Sequence, residues 1–249
     1  MHLRRIPITR EQLSCIPLDE RQLFVVAGHA LNEINVLDKL AYLGTLSHLG
    51  RDLQGQANAV QAFVLVRVLA GKVSETWEFL QKAYFRTQIS KTYTPLLDEE
   101  ANGALRELKN YFGRKNTVNK VRNEFAFHYD KKHGSAEIPA HATTNDMSIY
   151  LPQNSSRPGH ALFYYADFLV NKALTDAIDA MDPDAALTSL VTELRDLVIS
   201  VNKFLVGLIY QIMILRIGQA SLHGTAEDIE INDIPSASEK SLPFFIQFP

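Results

Sequence analysis

Along most of the chain, apolar residues return every three or four positions, the step of an α-helix that turns one face inward. Over residues 19–49 the positions Leu23, Ala27, Ala30, Ile34, Leu37, Ala41 and Leu43 keep that step and predict a long amphipathic helix entered through Pro17-Leu18-Asp19-Glu20. Its middle is crowded with polar residues: His29, Asn32, Glu33, Asn35, Asp38 and Lys39. They read either as a solvated face or, for Asn32 and Asn35, as groups that orient something on a facing helix. A polar break at residues 50–55 leads into a second long helix, 56–85, marked by Val60, Phe63, Val64, Val66, Leu69, Val73, Trp77, Leu80 and Tyr84. Two long helices joined by a short polar turn predict an antiparallel hairpin.

Residues 89–97 hold a proline among scattered polar groups and read as a loop, and 98–112 as a helix. After a break at 113–116, a helix is expected over about 117–130, stopped by Lys131-Lys132-His133-Gly134. Residues 135–165 form an insertion poor in helix signals. Within it, 148–151 and 161–165 flank a turn-rich stretch and predict a small β-hairpin. Helices follow over about 167–179 and 185–217. The pattern therefore predicts an all-α, antiparallel helical bundle over residues 1–217 with a small inserted β-hairpin. A C-terminal tail, 218–249, is acidic and closes on the apolar run Leu242-Pro243-Phe244-Phe245-Ile246.

Composition changes this picture little. The chain has 249 residues, 46% of them hydrophobic, and a net charge of -3, so no overall basic field advertises nucleic acid. A single cysteine, Cys15, leaves neither an intramolecular disulfide nor a cysteine-rich metal site, and a cytoplasmic setting is expected. Residues 197–217 are apolar and long enough to span a bilayer, but Asn202, Lys203 and Gln211 lie inside them. A buried or interface helix is expected there, not a membrane partner. His29 and Glu33 stand one turn apart without a third clustered ligand, so neither a metal nor another cofactor is expected.

Charge is locally uneven. Arg106, Lys109, Arg114, Lys115, Lys120, Arg122, Lys131 and Lys132 face only Glu107, Glu124 and Asp130, a net of +5 inside an acidic chain. Such a patch fits RNA or another phosphate ligand, or a solvated helical face. Within it lies Val121-Arg122-Asn123-Glu124-Phe125-Ala126-Phe127-His128-Tyr129-Asp130. On an α-helix of about 100° per residue, Val118, Val121, Phe125 and Tyr129 make one apolar stripe. Arg122 and His128 border that stripe from opposite sides, about 120° apart. Glu124 is one turn before His128 and within reach of it, while Asn123 and Phe127 face away. The pair converges only if the helix frays or another helix or subunit closes over it. Otherwise Arg122 serves as an ion-pair partner for Glu33 or Asp38.

Arg122-Asn123, four residues and then His128, near the end of a helix in an all-helical chain, resembles the signature of the HEPN superfamily. The two long helices before it also resemble that superfamily's bundle. The resemblance implies a homodimeric, metal-independent endoribonuclease in a toxin or defence role, with an antitoxin or other partner protein. It implies His128 as general acid or base, Arg122 as stabiliser of the phosphate transition state, and Asn123 as an orienting or phosphate-holding group. Arg114, Lys115, Lys120, Lys131 and Lys132 would then hold the RNA, with Asn32, Asn35 and Glu124 in support. The alternative it leaves open is a non-catalytic dimerisation or ligand- and partner-binding module.

Overall fold

A computed structural model describes residues 1–46, 50–127, 138–153, 158–179, 183–224, 226–240 and 242–246. Its elements, in order, are β1 (His2–Arg5), α1 (Arg10–Cys15), α2 (Leu18–Leu46), α3 (Leu53–Ala83), α4 (Gln88–Tyr93), α5 (Glu99–Phe112) and α6 (Thr117–Val121). A π-helical segment (Arg122–Ala126) continues α6, and α7 (Tyr164–Ile178), α8 (Pro183–Ile217), α9 (Gln219–Gly224) and β2 (Glu227–Glu230) follow. The fold is all-α, as the periodicity predicts. Two compact units divide it: residues 1–35, 72–115 and 196–236 form one, and 36–71, 116–195 and 237–249 the other.

Unit one is built around Ile34, Leu80, Tyr84, Tyr93, Leu108, Phe204, Leu205 and Leu208, all fully buried. Asp98 starts α5 by accepting from the Ala101 amide at 2.8 Å, the cap expected of an aspartate before a helical run. Gly207 lets α8 approach α5 closely, since a Cβ there would meet the Ala101 methyl at 2.6 Å. Trp77, the lone tryptophan, stacks on Phe112, centroids 4.9 Å apart, and anchors the core. The stretch read as a loop instead holds α4. Thr87 caps it by accepting from the Ser90 amide, and Ile89 and Tyr93 bury its inner face. Tertiary burial thus completes a helix too short to show a period of its own.

A two-stranded antiparallel sheet also belongs to unit one. β1 pairs with β2, Leu3 opposite Ile229 and Arg5 opposite Glu227. The Arg5 guanidinium donates to Glu227 at 3.1 Å, so one basic residue near the start of the sequence answers part of the tail's acidity. In α8, Asn202 donates to the Val198 carbonyl and Lys203 pairs with Glu100 at 3.0 Å, which gives both polar side chains protein partners. Leu53–Ala83 and Ala185–Ile217 are each long and apolar enough to cross a membrane, and 56% and 50% of their most apolar windows are buried.

Unit two packs Val118, Val121, Leu174, Leu190, Leu194 and Ala186 inward. In it Gly44 of α2 lies against Ala62 and Leu65 of α3. The hairpin expected at 148–151 and 161–165 takes the form of a single antiparallel bridge, Tyr150 with Leu162, each amide 2.8 Å from the other's carbonyl. Tyr150 and Tyr164 pack on a buried cluster of Ala57, Val60 and Leu162, and Phe244 and Phe245 of the tail join them there. The apolar end of the tail therefore docks on its own chain.

Candidate functional site

Asn116 opens α6 by accepting from the Asn119 amide at 2.8 Å, and Val118 and Val121 then turn inward. The expected 117–130 α-helix does not persist. It gives way at Arg122 to π-helical winding through Ala126, and Phe127 leaves the helix at φ -125°. A π segment turns more slowly than 100° per residue, so angular positions past Arg122 shift from those of an α-helix. Phe125 stays on the buried stripe with Val118 and Val121.

The neighbour on α3 explains the widening. A Cβ on Gly71 would fall 2.3 Å from the Phe127 ring and 3.3 Å from the Ala126 methyl. The absent side chain at Gly71 admits the edge of Phe127, and the extra backbone residue of the π turn delivers it there. Phe127 remains 44% exposed, so α3 covers this outward aromatic in part. His128, Tyr129, Lys131 and Lys132 lie outside the described residues.

Arg122 stands on the first residue of the π segment, half-buried, with its Nε closed to solvent. Its Nη1 donates to the side-chain oxygen of Asn123 at 2.9 Å, which fixes the direction of the guanidinium fork. Asn123 and Glu124 are exposed. The neighbouring sequence pair is therefore a geometric pair as well.

The other expected site residues that are described fall in both units. Lys120 donates from Nζ to the Ala177 carbonyl at 2.6 Å, a cation at the carboxyl end of α7 where the helix dipole favours one. Arg114 and Lys115 are exposed in the turn between α5 and α6 and belong to unit one. Asn32 and Asn35 are also in unit one, Asn32 exposed and Asn35 half-buried. Glu33 beside them pairs with Lys72 at 3.1 Å and lies 3.6 Å from His29, so its charge is answered by a lysine of α3. Among the described residues no three His, Cys, Asp or Glu side chains gather as a metal site would need.

Two polar features carry no periodic or motif signal in the sequence. One is in unit one, where Arg216 of α8 grips Glu20 of α2 with both ends of its fork, Nε to Oε2 at 2.7 Å and Nη2 to Oε1 at 2.6 Å. The Tyr93 hydroxyl donates to the same carboxylate at 2.6 Å. The Arg216 hydrogen bond holds Glu20 below the usual carboxylate range against the opposing effect of burial. Burial and the adjoining carboxylate push the Tyr93 phenol up to about 12. The other is in unit two, where burial raises Asp167 in spite of Arg67 3.6 Å away.

No family model, curated protein or solved structure matches this chain.

Proposed function

We propose that the protein is a HEPN-like, metal-independent endoribonuclease acting in the cytoplasm, as a homodimer, in a toxin or defence role with a partner protein. The observation that carries this reading is Arg122 held by Asn123 at 2.9 Å on a π-helical turn, six residues before His128. π turns recur at functional sites because they re-aim side chains that a regular helix would disperse. A planar guanidinium is the side chain best shaped to grip a phosphate through two oxygens.

In the proposed reaction His128 takes the proton of an RNA 2′-hydroxyl. That oxygen attacks the adjacent phosphorus and the bond to the 5′-oxygen breaks. Arg122 stabilises the extra negative charge on the phosphorane-like transition state. A protonated histidine, from the second protomer of the dimer, gives its proton to the leaving 5′-oxygen. The products are a 2′,3′-cyclic phosphate and a 5′-hydroxyl. Imidazole, with an ordinary pKa of about 6.5, suits both the acid and the base role.

The test is incubation of the purified chain with mixed RNA in EDTA, alongside Arg122→Ala and His128→Ala. Cyclic-phosphate ends from the wild type, lost in both variants while circular dichroism stays unchanged, support the reading. Intact RNA in all three samples across the neutral range refutes it. A second reading, a non-catalytic HEPN-like dimerisation or partner-binding module, is favoured by Lys120, whose ammonium donates to the Ala177 carbonyl and so helps to close α7. Under it, Arg122→Ala lowers the melting temperature and no nuclease activity exists to lose.

A further inference from the structure

A cleft of about 510 Å³ in unit one takes no part in the chemistry proposed for Arg122 and His128. Trp77, Phe85, Arg86 and Lys109 are among its lining residues, and among the described residues no acidic side chain lines it. Its volume falls within the range of about 300–1,000 Å³ usual for small-molecule sites.

Three features of this cleft are not explained by packing. The Phe85 ring is half-buried and carries the Lys109 ammonium 5.2 Å from its centroid, so a ring face and a cation share one opening. Trp77 is only 7% exposed, and its Nε1 has no hydrogen-bond partner among the described residues. A buried indole N–H without an acceptor is unfavourable, and a ligand that supplies an acceptor removes the penalty.

The third feature is the backbone of Arg86. Its φ is 61°, in the left-handed region, just after α3 closes with the Phe85 amide on the Leu80 carbonyl at 3.0 Å. Arg86 stands third in the turn from Tyr84 to Thr87, whose amide meets the Tyr84 carbonyl at 3.3 Å, a place where positive φ usually falls to glycine because it bears no Cβ. A side chain held there costs stability, and strain of this kind clusters at ligand sites. The side chain kept at this cost is a guanidinium on the cleft.

We propose that this cleft binds a planar heteroaromatic anion of the size of a nucleoside monophosphate. Its ring lies on Phe85, and a ring nitrogen or carbonyl accepts from Trp77 Nε1 once the Phe85 side chain shifts. Its phosphate is held by Arg86 as a two-point fork and by Lys109 as a mobile point charge drawn off the Phe85 face. This site involves residues of unit one only and is independent of the RNA-cleavage reading, which rests on unit two.

The chain's lone tryptophan makes the test direct, since the fluorescence of Trp77 reports on the cleft wall. The full chain is titrated separately with AMP, UMP, adenosine and ribose 5-phosphate. A saturable change with AMP and UMP is expected, with adenosine and ribose 5-phosphate at least about tenfold weaker because each lacks one of the two recognised groups. Arg86→Gly and Lys109→Met are each expected to weaken AMP about tenfold, the loss of one charge-assisted contact. Arg86→Gly also melts no lower than wild type, because glycine relieves the backbone, so its lost binding is not lost folding. The proposal is overturned by no saturable change up to millimolar AMP or UMP, by ribose 5-phosphate binding as tightly as AMP, or by binding that both variants leave intact.

Discussion

Removing the Arg216 fork from Glu20 is the sharpest perturbation this fold offers. Glu20 is 8% exposed and accepts from three donors, two of them on Arg216 and the third the Tyr93 hydroxyl. Arg216→Ala leaves a buried carboxylate with one neutral donor. Breaking a buried ion pair on one side costs about 3–5 kcal/mol, because the partner's charge stays out of water without compensation. The Arg216 side chain is 33% exposed, so water partly replaces it, and the lower end, about 3 kcal/mol, is expected. For a chain of this length that is a loss of roughly 6–12 °C in melting temperature.

The sign with pH follows from the direction of each shift. Glu20 is held below its ordinary 4.5, so its contribution is complete above that value and is lost as pH falls through the lower folded-state value. Tyr93 is raised from 10.0 to about 12, so its contribution is complete below 10.0 and is lost as pH rises through about 12. In Arg216→Ala the carboxyl protonates more readily, and the penalty shrinks in acid. Urea unfolding of wild type, Arg216→Ala, Glu20→Gln and the double variant, at neutral and at acid pH, measures both effects. A coupling energy above about 1 kcal/mol at neutral pH is expected for groups in contact. A cost for Arg216→Ala below about 1 kcal/mol, or one that acid leaves unchanged, refutes the argument.

Gly207→Val drives a branched side chain into the Ala101 methyl, 2.6 Å from where its Cβ would stand, and should cost about 1–3 kcal/mol in denaturant melts. Gly71→Ala displaces the Phe127 ring and with it the end of the π turn. It should reduce any RNA cleavage that depends on His128 more than it reduces global stability, measured on the same preparation. Lys120→Met removes a cation from the carboxyl end of α7 and should cost about 0.5–1.5 kcal/mol, with faster amide exchange in the last turn of that helix. Phe244→Ala with Phe245→Ala uncovers the cluster of Ala57, Val60 and Leu162, and should increase protease cutting of the tail under native conditions.

The helices α2, α3, α5, α7 and α8 were legible in the chain because each repeats its apolar positions over several turns, and the amphipathic period is a local property. The caps at Asp98 and Asn116 follow from the same local chemistry. The inward stripe of Val118, Val121 and Phe125 was likewise legible, since three points fix a face. The contact of Arg122 with Asn123 was not, since an α-helix turns Asn123 away from the stripe that Arg122 borders. What the sequence determined by itself is therefore the set of long helices, their buried faces and the adjacency of one arginine and one asparagine.

The tertiary structure decided everything that joins residues far apart. The π turn at Arg122–Ala126 answers a space left by Gly71, a residue some fifty positions earlier, and no local period announces it. Short α4 persists because Ile89 and Tyr93 are buried, not because its six residues favour helix on their own. β1 meets β2 across almost the whole chain, and Glu20 meets Arg216 across 196 positions. Lys120, a phosphate ligand by expectation, also donates to the Ala177 carbonyl at the end of α7, a contact its charge alone does not announce. A charge in a sequence has a sign but no neighbour. The neighbour fixes whether it binds, caps or staples, and only the folded chain supplies one.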